Sequence, residues 1–328
     1  MTTRSGLRGW LACSMLLIGC TAGTTIGGDD DDDSGGGGAG TQPDAGTQGS
    51  ADAGNADPIP FACPGGTIAP GMNTLVIGNT SRTFIADFPM DMSKPLGVLF
   101  SWHGYQQTAP AFRTEVALDP NANPNVPLVV ITPNDTDLVP PFGLGWDIIE
   151  AAGNVDFVLF ESIMGCLKQQ YSIDPKAIYS FGFSAGSVMT SLIHSQYPKL
   201  VSTIVAESGA WFNDPAQRAL VTIPLLAWQW PALIPGDGGT VLLTHGGPND
   251  VTVANIMNLE NAAQAAIPFL KMHDRVVADC SHTGGHVIDP NVRPNMIVSF
   301  VTSYRTGETA SAMAGFGALP PSCRPSLP

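Results

Sequence analysis

The sequence has little positive charge. Its 14 Lys and Arg residues are outnumbered by 28 Asp and Glu residues, for a formal net charge of −14, and the basic residues form no stripe. A chain of this kind lacks the electrostatic footprint that nucleic acids and anionic membrane surfaces require. We therefore expect neither as a partner. The chain also lacks internal repeats and, beyond residue 20, any long apolar run that would predict a membrane-spanning helix.

The N-terminus has the features of an export signal. Arg4 and Arg8 precede an apolar stretch, Trp10–Ile18, that is too short to span a bilayer as a mature helix. The stretch ends in Leu17-Ile18-Gly19-Cys20, which resembles the lipobox of bacterial lipoproteins. The resemblance implies that residues 1–19 are a signal peptide and that Cys20 is acylated after cleavage. An ordinary signal peptide with a chance cysteine is the alternative.

Cleavage at this point would remove two basic residues and no acidic ones, and so would change the net charge from −14 to −16. We expect a lipoprotein of the cell envelope, periplasmic or on the cell surface, or an extracellular protein. Acyl chains would then be its only membrane anchor.

Residues 20–60 are predicted to be a disordered linker that follows the acylated cysteine. They are rich in Gly, Ala, Thr and Asp and have almost no large apolar side chains, so they bury too little surface to offset the entropy lost on ordering. Asp29–Asp33 is a run of five carboxylates. A calcium site is the alternative there, but adjacent carboxylates on a flexible chain lack the tight turn and backbone carbonyls of such sites.

Four of the six cysteines remain after Cys13 is removed with the signal and Cys20 is acylated. An even number in an oxidising compartment predicts disulfides. We favour Cys63–Cys323, which would join the two ends of the domain, and Cys166–Cys280. A zinc site at Cys280, His282 and His286 is the alternative, although Gly284 and Gly285 would break any helix that presented both histidines.

Residues 61–328 are predicted to form one α/β domain with a mostly parallel central sheet and helices on both faces. Apolar strands alternate with longer helical patterns, and continuous apolar runs are typical of strands that are covered on both faces. The predicted strands are Arg82–Phe88, Leu96–Trp102, Pro127–Thr132, Lys176–Phe181, Val201–Ala206, Thr240–Thr244 and Arg275–Ala278. The predicted helices are Asn154–Tyr171, Ala185–Gln196, Ala254–Ile267 and Val292–Tyr304.

One short motif, Gly182-Phe183-Ser184-Ala185-Gly186, lies between a predicted strand and a predicted helix. Alone the pattern is weak in a chain with 37 glycines. A strand, a tight turn and a helix are, however, the setting of a nucleophile elbow, in which small residues allow a strained serine conformation. We therefore predict that Ser184 is a nucleophile. A tight glycine turn without chemistry is the alternative.

A serine nucleophile needs a base and an acid that orients the base. Asp250 lies in the loop after the strand Thr240–Thr244, and His286 follows Gly284 and Gly285 in a later loop. In folds with a nucleophile elbow, the acid and then the histidine follow the serine along the chain in this order. We predict Asp250 and His286 for these roles, with Asp289 and His282 as the respective alternatives.

The remaining predicted site residues also come after predicted strands. His103-Gly104-Tyr105 comes after Leu96–Trp102, and we assign the oxyanion hole to the N–H groups of Tyr105 and Ala185. His103 is expected to orient this loop. Trp146 and Trp211 are predicted to contact substrate, together with His103. For Trp228 and Trp230, substrate binding and core packing remain equally open.

Four segments of the chain resemble the polyhydroxybutyrate depolymerase and feruloyl esterase group of α/β-hydrolases: "SWHGYQQT", "NVDFVLFESIMGCLKQQYSIDPKAIYSFGFSAGSVMTSLIHSQYP", "THGGPNDVTV" and "GGH". The resemblance covers roughly residues 95–305. It implies an α/β-hydrolase fold, a Ser184–Asp250–His286 triad and a polyhydroxyalkanoate, feruloyl or acetyl-polysaccharide ester as substrate. An acyl-enzyme reaction by this triad is expected to require no cofactor or metal. The chain departs from the group at Ser187, where many members have glycine, and in 210–239, which is unusually rich in Trp and Pro.

Two other functions remain open from the sequence. A surface lipoprotein could use the same scaffold to bind carbohydrate or polymer without catalysis, since a fold alone does not guarantee chemistry. A serine peptidase could use the same triad, although the sequence shows no added peptide-clamping domain.

Overall fold

The computed structural model describes residues 57–136, 145–149, 151–221, 228–235, 238–252, 255–307 and 314–326. The predicted signal peptide, Cys20 and the linker up to residue 56 lie outside the described residues. Ile59 is 2% exposed, and its carbonyl accepts a hydrogen bond from Lys168 Nζ at 2.6 Å. The packed part of the chain therefore includes Ile59, just before the predicted domain boundary at residue 61.

The described residues form a nine-stranded sheet with the order β1-β2-β4-β3-β5-β6-β7-β8-β9. Neighbouring strands in the central part of the sheet, β4-β3-β5-β6-β7-β8, are parallel. The pairs β1 and β2, β2 and β4, and β8 and β9 are antiparallel. The strands are β1 Gly71–Ile77, β2 Thr80–Asp87, β3 Leu96–Trp102, β4 Leu128–Pro133, β5 Ile173–Phe183, β6 Val201–Glu207, β7 Thr240–His245, β8 Val276–Ser281 and β9 Cys323–Ser326.

Six α-helices connect or flank these strands within the described residues. They are α1 Ala109–Val116, α2 Val155–Gln170, α3 Ala185–Gln196, α4 Pro215–Arg218, α5 Leu259–Met272 and α6 Pro294–Val301. Helix α3 has the predicted bounds. Helix α5 begins five residues later than predicted, because Asn258 caps it by accepting a hydrogen bond from the N–H of Asn261. Helix α6 begins at Pro294, whose fixed φ suits the first helical turn.

Two hydrophobic cores cover the two faces of the sheet. Successive residues of a strand point to opposite faces: on β4, Val129 and Ile131 belong to one core, and Leu128 and Val130 belong to the other. The first core receives residues of α2, α3 and α5, and the second receives residues of α1 and α6. Helices on both faces of a mostly parallel sheet confirm the predicted fold class.

The predicted disulfide pairing is wrong, although all four predicted cysteines are used. The structure joins Cys63 to Cys166 and Cys280 to Cys323. Strand β9 pairs antiparallel with β8 and sets Cys323 directly opposite Cys280. The N-terminal segment passes close to α2, where a Cβ on Gly165 would lie 2.6 Å from the backbone of Ala62. The predicted pairing failed because β9 had not been predicted.

Among the helices that the structure describes, none is long and apolar enough to cross a membrane.

The observed pairing predicts the result of peptide mapping. Digestion of the protein without reduction should yield linked peptides for Cys63–Cys166 and for Cys280–Cys323. Replacing both cysteines of one pair with serine should lower the free energy of unfolding by about 5 kcal/mol for the ring of 103 residues and about 4 kcal/mol for the ring of 43. Urea denaturation measures this loss. A peptide that links Cys63 to Cys323 would contradict the observed pairing.

Candidate active site

The turn between β5 and α3 holds Ser184 in a strained conformation. Its φ is 55° and its ψ is −120°, a region that side-chain-bearing residues rarely occupy. The N–H of Ser184 donates a hydrogen bond to the carbonyl oxygen of Glu207 at 2.9 Å, which ties the turn to the end of β6. The predicted strand–turn–helix setting of this serine is confirmed.

Glycine is required on both sides of Ser184. A Cβ on Gly182 would collide with the carbonyl of Gly186, and a Cβ on Gly186 would collide with the carbonyl oxygens of Trp102 and His103. The start of α3 therefore touches the ends of β3 and β5 without any intervening side chain. This contact places Ser184 at the carboxyl edge of the sheet, where parallel α/β sheets carry functional groups.

His286 lies between Ser184 and Asp250. Its Nε2 is 2.9 Å from Ser184 Oγ, and its Nδ1 is 2.7 Å from Asp250 Oδ1. The imidazole stacks on the ring of Phe183, with centroids 5.0 Å apart, and its side chain is 24% exposed. With a carboxylate at Nδ1, that nitrogen carries the proton, and Nε2 accepts the hydrogen bond from the serine hydroxyl.

Asp250 is buried but well supplied with hydrogen-bond donors. Its Oδ2 accepts a bond from the N–H of Gly246 at 2.8 Å and another from Ser208 Oγ at 2.8 Å. Burial by itself raises the pKa of this carboxyl, but the hydrogen bonds from His286, Gly246 and Ser208 outweigh burial and hold the pKa below its usual value. Asp250 is therefore a carboxylate at neutral pH.

The alternatives for base and acid do not take part in this arrangement. His282 Nδ1 accepts a hydrogen bond from the N–H of Gly284 at 3.0 Å. Asp289 Oδ1 accepts one from the N–H of Asn291 at 2.8 Å. A zinc site that includes Cys280 is wrong, because Cys280 is bonded to Cys323.

The loops that carry the acid and the base pack glycine against glycine. Gly285, with φ 72°, donates its N–H to the carbonyl of Gly246 at 3.1 Å. A Cβ on Gly246 would collide with the carbonyl of Gly285. This contact brings the loop after β7 and the loop after β8 close enough for Asp250 to reach His286.

The loop after β3 lies against the nucleophile. A Cβ on Gly104 would lie 3.4 Å from Ser184 Cβ. The N–H of Gly104 is occupied, since it donates to Gln107 Oε1 at 2.7 Å. In contrast, the N–H groups of Tyr105 and Ala185 have no acceptor among the described residues. Two free N–H groups on elements that meet at Ser184 are the donors that an oxyanion hole needs.

Gln107 was missed by the sequence analysis. Besides binding the N–H of Gly104, its side chain donates through Nε2 to Glu115 Oε2 at 2.9 Å, and its own N–H donates to the carbonyl of Gly104 at 3.2 Å. These bonds fix the shape of the loop. The position of Gln107, a few residues beyond the end of a predicted strand, was the available signal.

The three predicted substrate-binding side chains are in the core. His103 is 0% exposed, and Trp146 and Trp211 are each 1% exposed. Trp146 donates through Nε1 to the carbonyl of His103 at 2.8 Å, with the two rings 4.7 Å apart. Trp211 packs edge-on against His194. Trp146 therefore supports the loop after β3, and Trp211 packs against α3. A direct contact of these three side chains with substrate remains a prediction that their burial disfavours.

The two remaining tryptophans form an aromatic cluster with Phe212. Trp228 stacks on Phe212 at a centroid distance of 3.7 Å, and Trp230 meets Phe212 edge-on at 5.6 Å. Trp230 Nε1 donates to the carbonyl of Ile148 at 2.8 Å. Core packing therefore accounts for Trp230, which is 8% exposed.

The glycine contact between the two loops predicts a measurable cost. Gly246→Ala should lower the free energy of unfolding by about 1–3 kcal/mol, because the added methyl overpacks the contact with Gly285. Gly317→Ala is the matched control, since a Cβ there meets nothing within 4 Å. Both are measured by urea denaturation. Equal stability of the two variants would contradict the packing described here.

No protein-family model and no curated protein sequence matches the chain. Solved structures do. The native structure of sOPH has a TM-score of 0.63 and 19% identity over 81% of this chain and 97% of its own. The native structure of pOPH has a TM-score of 0.60 and 18% identity over 81% of this chain and 97% of its own.

An S-formylglutathione hydrolase from Agrobacterium tumefaciens has a TM-score of 0.50 and 14% identity over 74% of this chain and 96% of its own. These likenesses, together with the strand order and the turn at Ser184, confirm the predicted α/β-hydrolase fold of the chain.

Proposed function

We propose that the protein is a serine carboxylic-ester hydrolase that works through an acyl-enzyme. The observation that carries the proposal is the position of His286, 2.9 Å from Ser184 Oγ and 2.7 Å from Asp250 Oδ1. A hydroxyl that contacts an imidazole, which in turn contacts a buried carboxylate, is the arrangement of a nucleophilic triad.

In the acylation step Ser184 Oγ attacks the ester carbonyl carbon while His286 Nε2 accepts the hydroxyl proton. The carbonyl oxygen becomes an oxyanion, which the N–H groups of Tyr105 and Ala185 stabilise. Ala185 is also the first residue of α3, so the positive end of the helix dipole lies at the oxyanion. His286 then protonates the leaving alkoxide, and the acyl group stays on Ser184.

Deacylation repeats the cycle with water as the nucleophile. His286 takes a proton from water, the oxyanion forms again in the same place, and Ser184 leaves with the proton from His286. Asp250 keeps the imidazole proton on Nδ1 and stabilises the imidazolium in both steps. These side chains and backbone groups complete both steps, so the proposed reaction needs no cofactor.

The proposed substrates are esters of polyhydroxyalkanoates or feruloyl and acetyl esters of polysaccharides. The four segments quoted above support this class, and a structural neighbour named as an S-formylglutathione hydrolase supports hydrolysis at an acyl carbon. The His286 side chain is 24% exposed, so a substrate can reach the triad from the surface.

The proposed location is the cell envelope or the extracellular space, with a lipid on Cys20. The sequence Leu17-Ile18-Gly19-Cys20 supports the lipid, and two disulfides support an oxidising compartment.

Removal of the nucleophile tests the proposed reaction. Ser184→Ala should lower kcat on the preferred ester by at least about three orders of magnitude, because the remaining groups cannot form the acyl-enzyme. The assay uses p-nitrophenyl acetate, p-nitrophenyl butyrate, methyl ferulate and 3-hydroxybutyrate oligomers. Ser187→Ala is the matched control. It removes a buried hydroxyl one turn along the same helix that has no partner among the described side chains, and we expect it to retain activity.

A fluorophosphonate probe separates the other functions. Labelling that is lost in Ser184→Ala supports an enzyme, and turnover of peptides without turnover of esters would identify a peptidase. A folded wild-type protein that reacts with neither the probe nor any ester would contradict catalysis and favour a binding lipoprotein.

Acylation of Cys20 has its own test. When the full chain is expressed in a bacterial host fed radiolabelled palmitate, the protein should carry label and sediment with membranes. Cys20→Ala should lose both properties, whereas Cys13→Ala, within the predicted signal, should keep them. An unlabelled wild-type protein that is processed to a soluble form would show an ordinary signal peptide instead.

A further inference from the structure

Ser208 is held in an unusual conformation at the carboxyl end of β6. It directly follows Glu207 and has a φ of 49°, in the left-handed region that favours glycine. Its N–H donates to the carbonyl of Thr244 on β7 at 2.9 Å, and the residue is 1% exposed. A residue with a side chain is strained in this region, so a glycine would occupy the position more easily than a serine.

The serine side chain is directed at the candidate acid. Ser208 Oγ lies 2.8 Å from Asp250 Oδ2, and the Asp250 side chain is 0% exposed. Because an ionised carboxylate only accepts hydrogen bonds, the Ser208 hydroxyl is the donor. The two carboxylate oxygens are thereby divided, with Oδ2 bound by Ser208 and by the N–H of Gly246, and Oδ1 left for His286.

The end of β6 contacts both extremes of the candidate triad through two consecutive residues. The carbonyl of Glu207 accepts the N–H of Ser184, and the hydroxyl of Ser208 donates to Asp250. The end of β6 therefore positions both the nucleophile and the acid by hydrogen bonds. The His286 imidazole lies between them.

We propose that Ser208 is a positioning residue of the triad, whose hydroxyl sets the rotation of the Asp250 carboxylate so that Oδ1 faces His286 Nδ1. This inference rests on the proposed function, since it assigns a role to Ser208 within the same site. Ser208 does not touch the reacting atoms and acts only through Asp250. The hydrogen bond from Ser208 is also one of the contacts that lower the pKa of Asp250.

Kinetics of the Ser208→Gly variant test this role. Glycine removes the hydroxyl and suits the left-handed backbone, so the relieved backbone strain offsets part of the lost hydrogen bond to Asp250 and the variant should still fold. We expect kcat to fall about tenfold, because a misaligned base loses part of a general-base contribution of roughly 10²–10⁴, while KM changes less than about twofold. Wild-type kcat in Ser208→Gly would overturn the inference.

A double-mutant cycle with Asp250→Asn separates positioning from general structural support. If Ser208 acts through the carboxylate, Ser208→Gly should change kcat by less than about twofold when Asp250→Asn is already present. An equal loss in both backgrounds would show that Ser208 acts elsewhere, and would overturn the inference.

A third measurement does not depend on turnover. The proton on His286 Nδ1, held against Asp250 Oδ1, is observed by ¹H NMR, and its resonance should shift in Ser208→Gly but not in Ser187→Ala. If the wild type hydrolyses no ester and Ser184 is not labelled, the proposed function fails, and a shifted resonance still supports positioning by Ser208. An unmoved resonance overturns the inference whether or not the protein is an esterase.

Discussion

The close approach of α3 to the ends of β3 and β5 is the contact on which the rest of the site depends. Gly182 and Gly186 allow it, because any side chain at either position would collide with backbone. The chain must then reverse within one residue, and Ser184 takes the strain of that reversal with a φ of 55°. The strain is held by a hydrogen bond to β6 and by a helix that is buried from Ala185 to Ser195. A strained residue in such a rigid frame keeps its hydroxyl in one place, which suits a nucleophile.

The parallel part of the sheet supplies the other groups at the same edge. Strands β3, β6, β7 and β8 all end there, and the loops that follow them carry Tyr105, Ser208, Asp250 and His286, respectively. Each loop is shaped by contacts of backbone with backbone or with one side chain: Gln107 closes the first loop, and Gly246 packs on Gly285 between the last two. The site is therefore a property of adjacent strand ends, each of which delivers one group. This is the general placement of function in α/β sheets.

Hydrogen bonds and burial limit the negative charge at this edge of the sheet, although the chain as a whole is acidic. Despite a net charge of −14, the candidate site contains a single carboxylate whose charge is compensated by three hydrogen-bond donors. Close by, Glu207 is fully buried, and its pKa is raised well above the usual value by burial and by the neighbouring charge of Asp289. Burial therefore disfavours a further negative charge on Glu207, the residue whose carbonyl accepts the N–H of Ser184.

The sequence by itself determined the elements whose signal is local. The strand–turn–helix around Ser184 depends on residues within a short stretch, and the apolar runs of β3 and β7 were visible because both faces of these strands are buried. The order of serine, aspartate and histidine along the chain, together with the loops that follow predicted strands, favoured Asp250 and His286 over Asp289 and His282. In the structure His286 contacts both Ser184 and Asp250. Strand β9 was not predicted, because it is four residues long and contains Pro325, which is tolerated only at a sheet edge.

Only the tertiary structure decided which distant residues meet. The disulfide pairing depends on β9 lying beside β8, and the burial of Trp146 and Trp211 depends on which side of each loop faces the core. The partnership of Ser208 with Asp250 joins residues 42 positions apart. No periodicity or local motif encodes such contacts, because they arise from strand order and from the meeting of loops at one edge of the sheet.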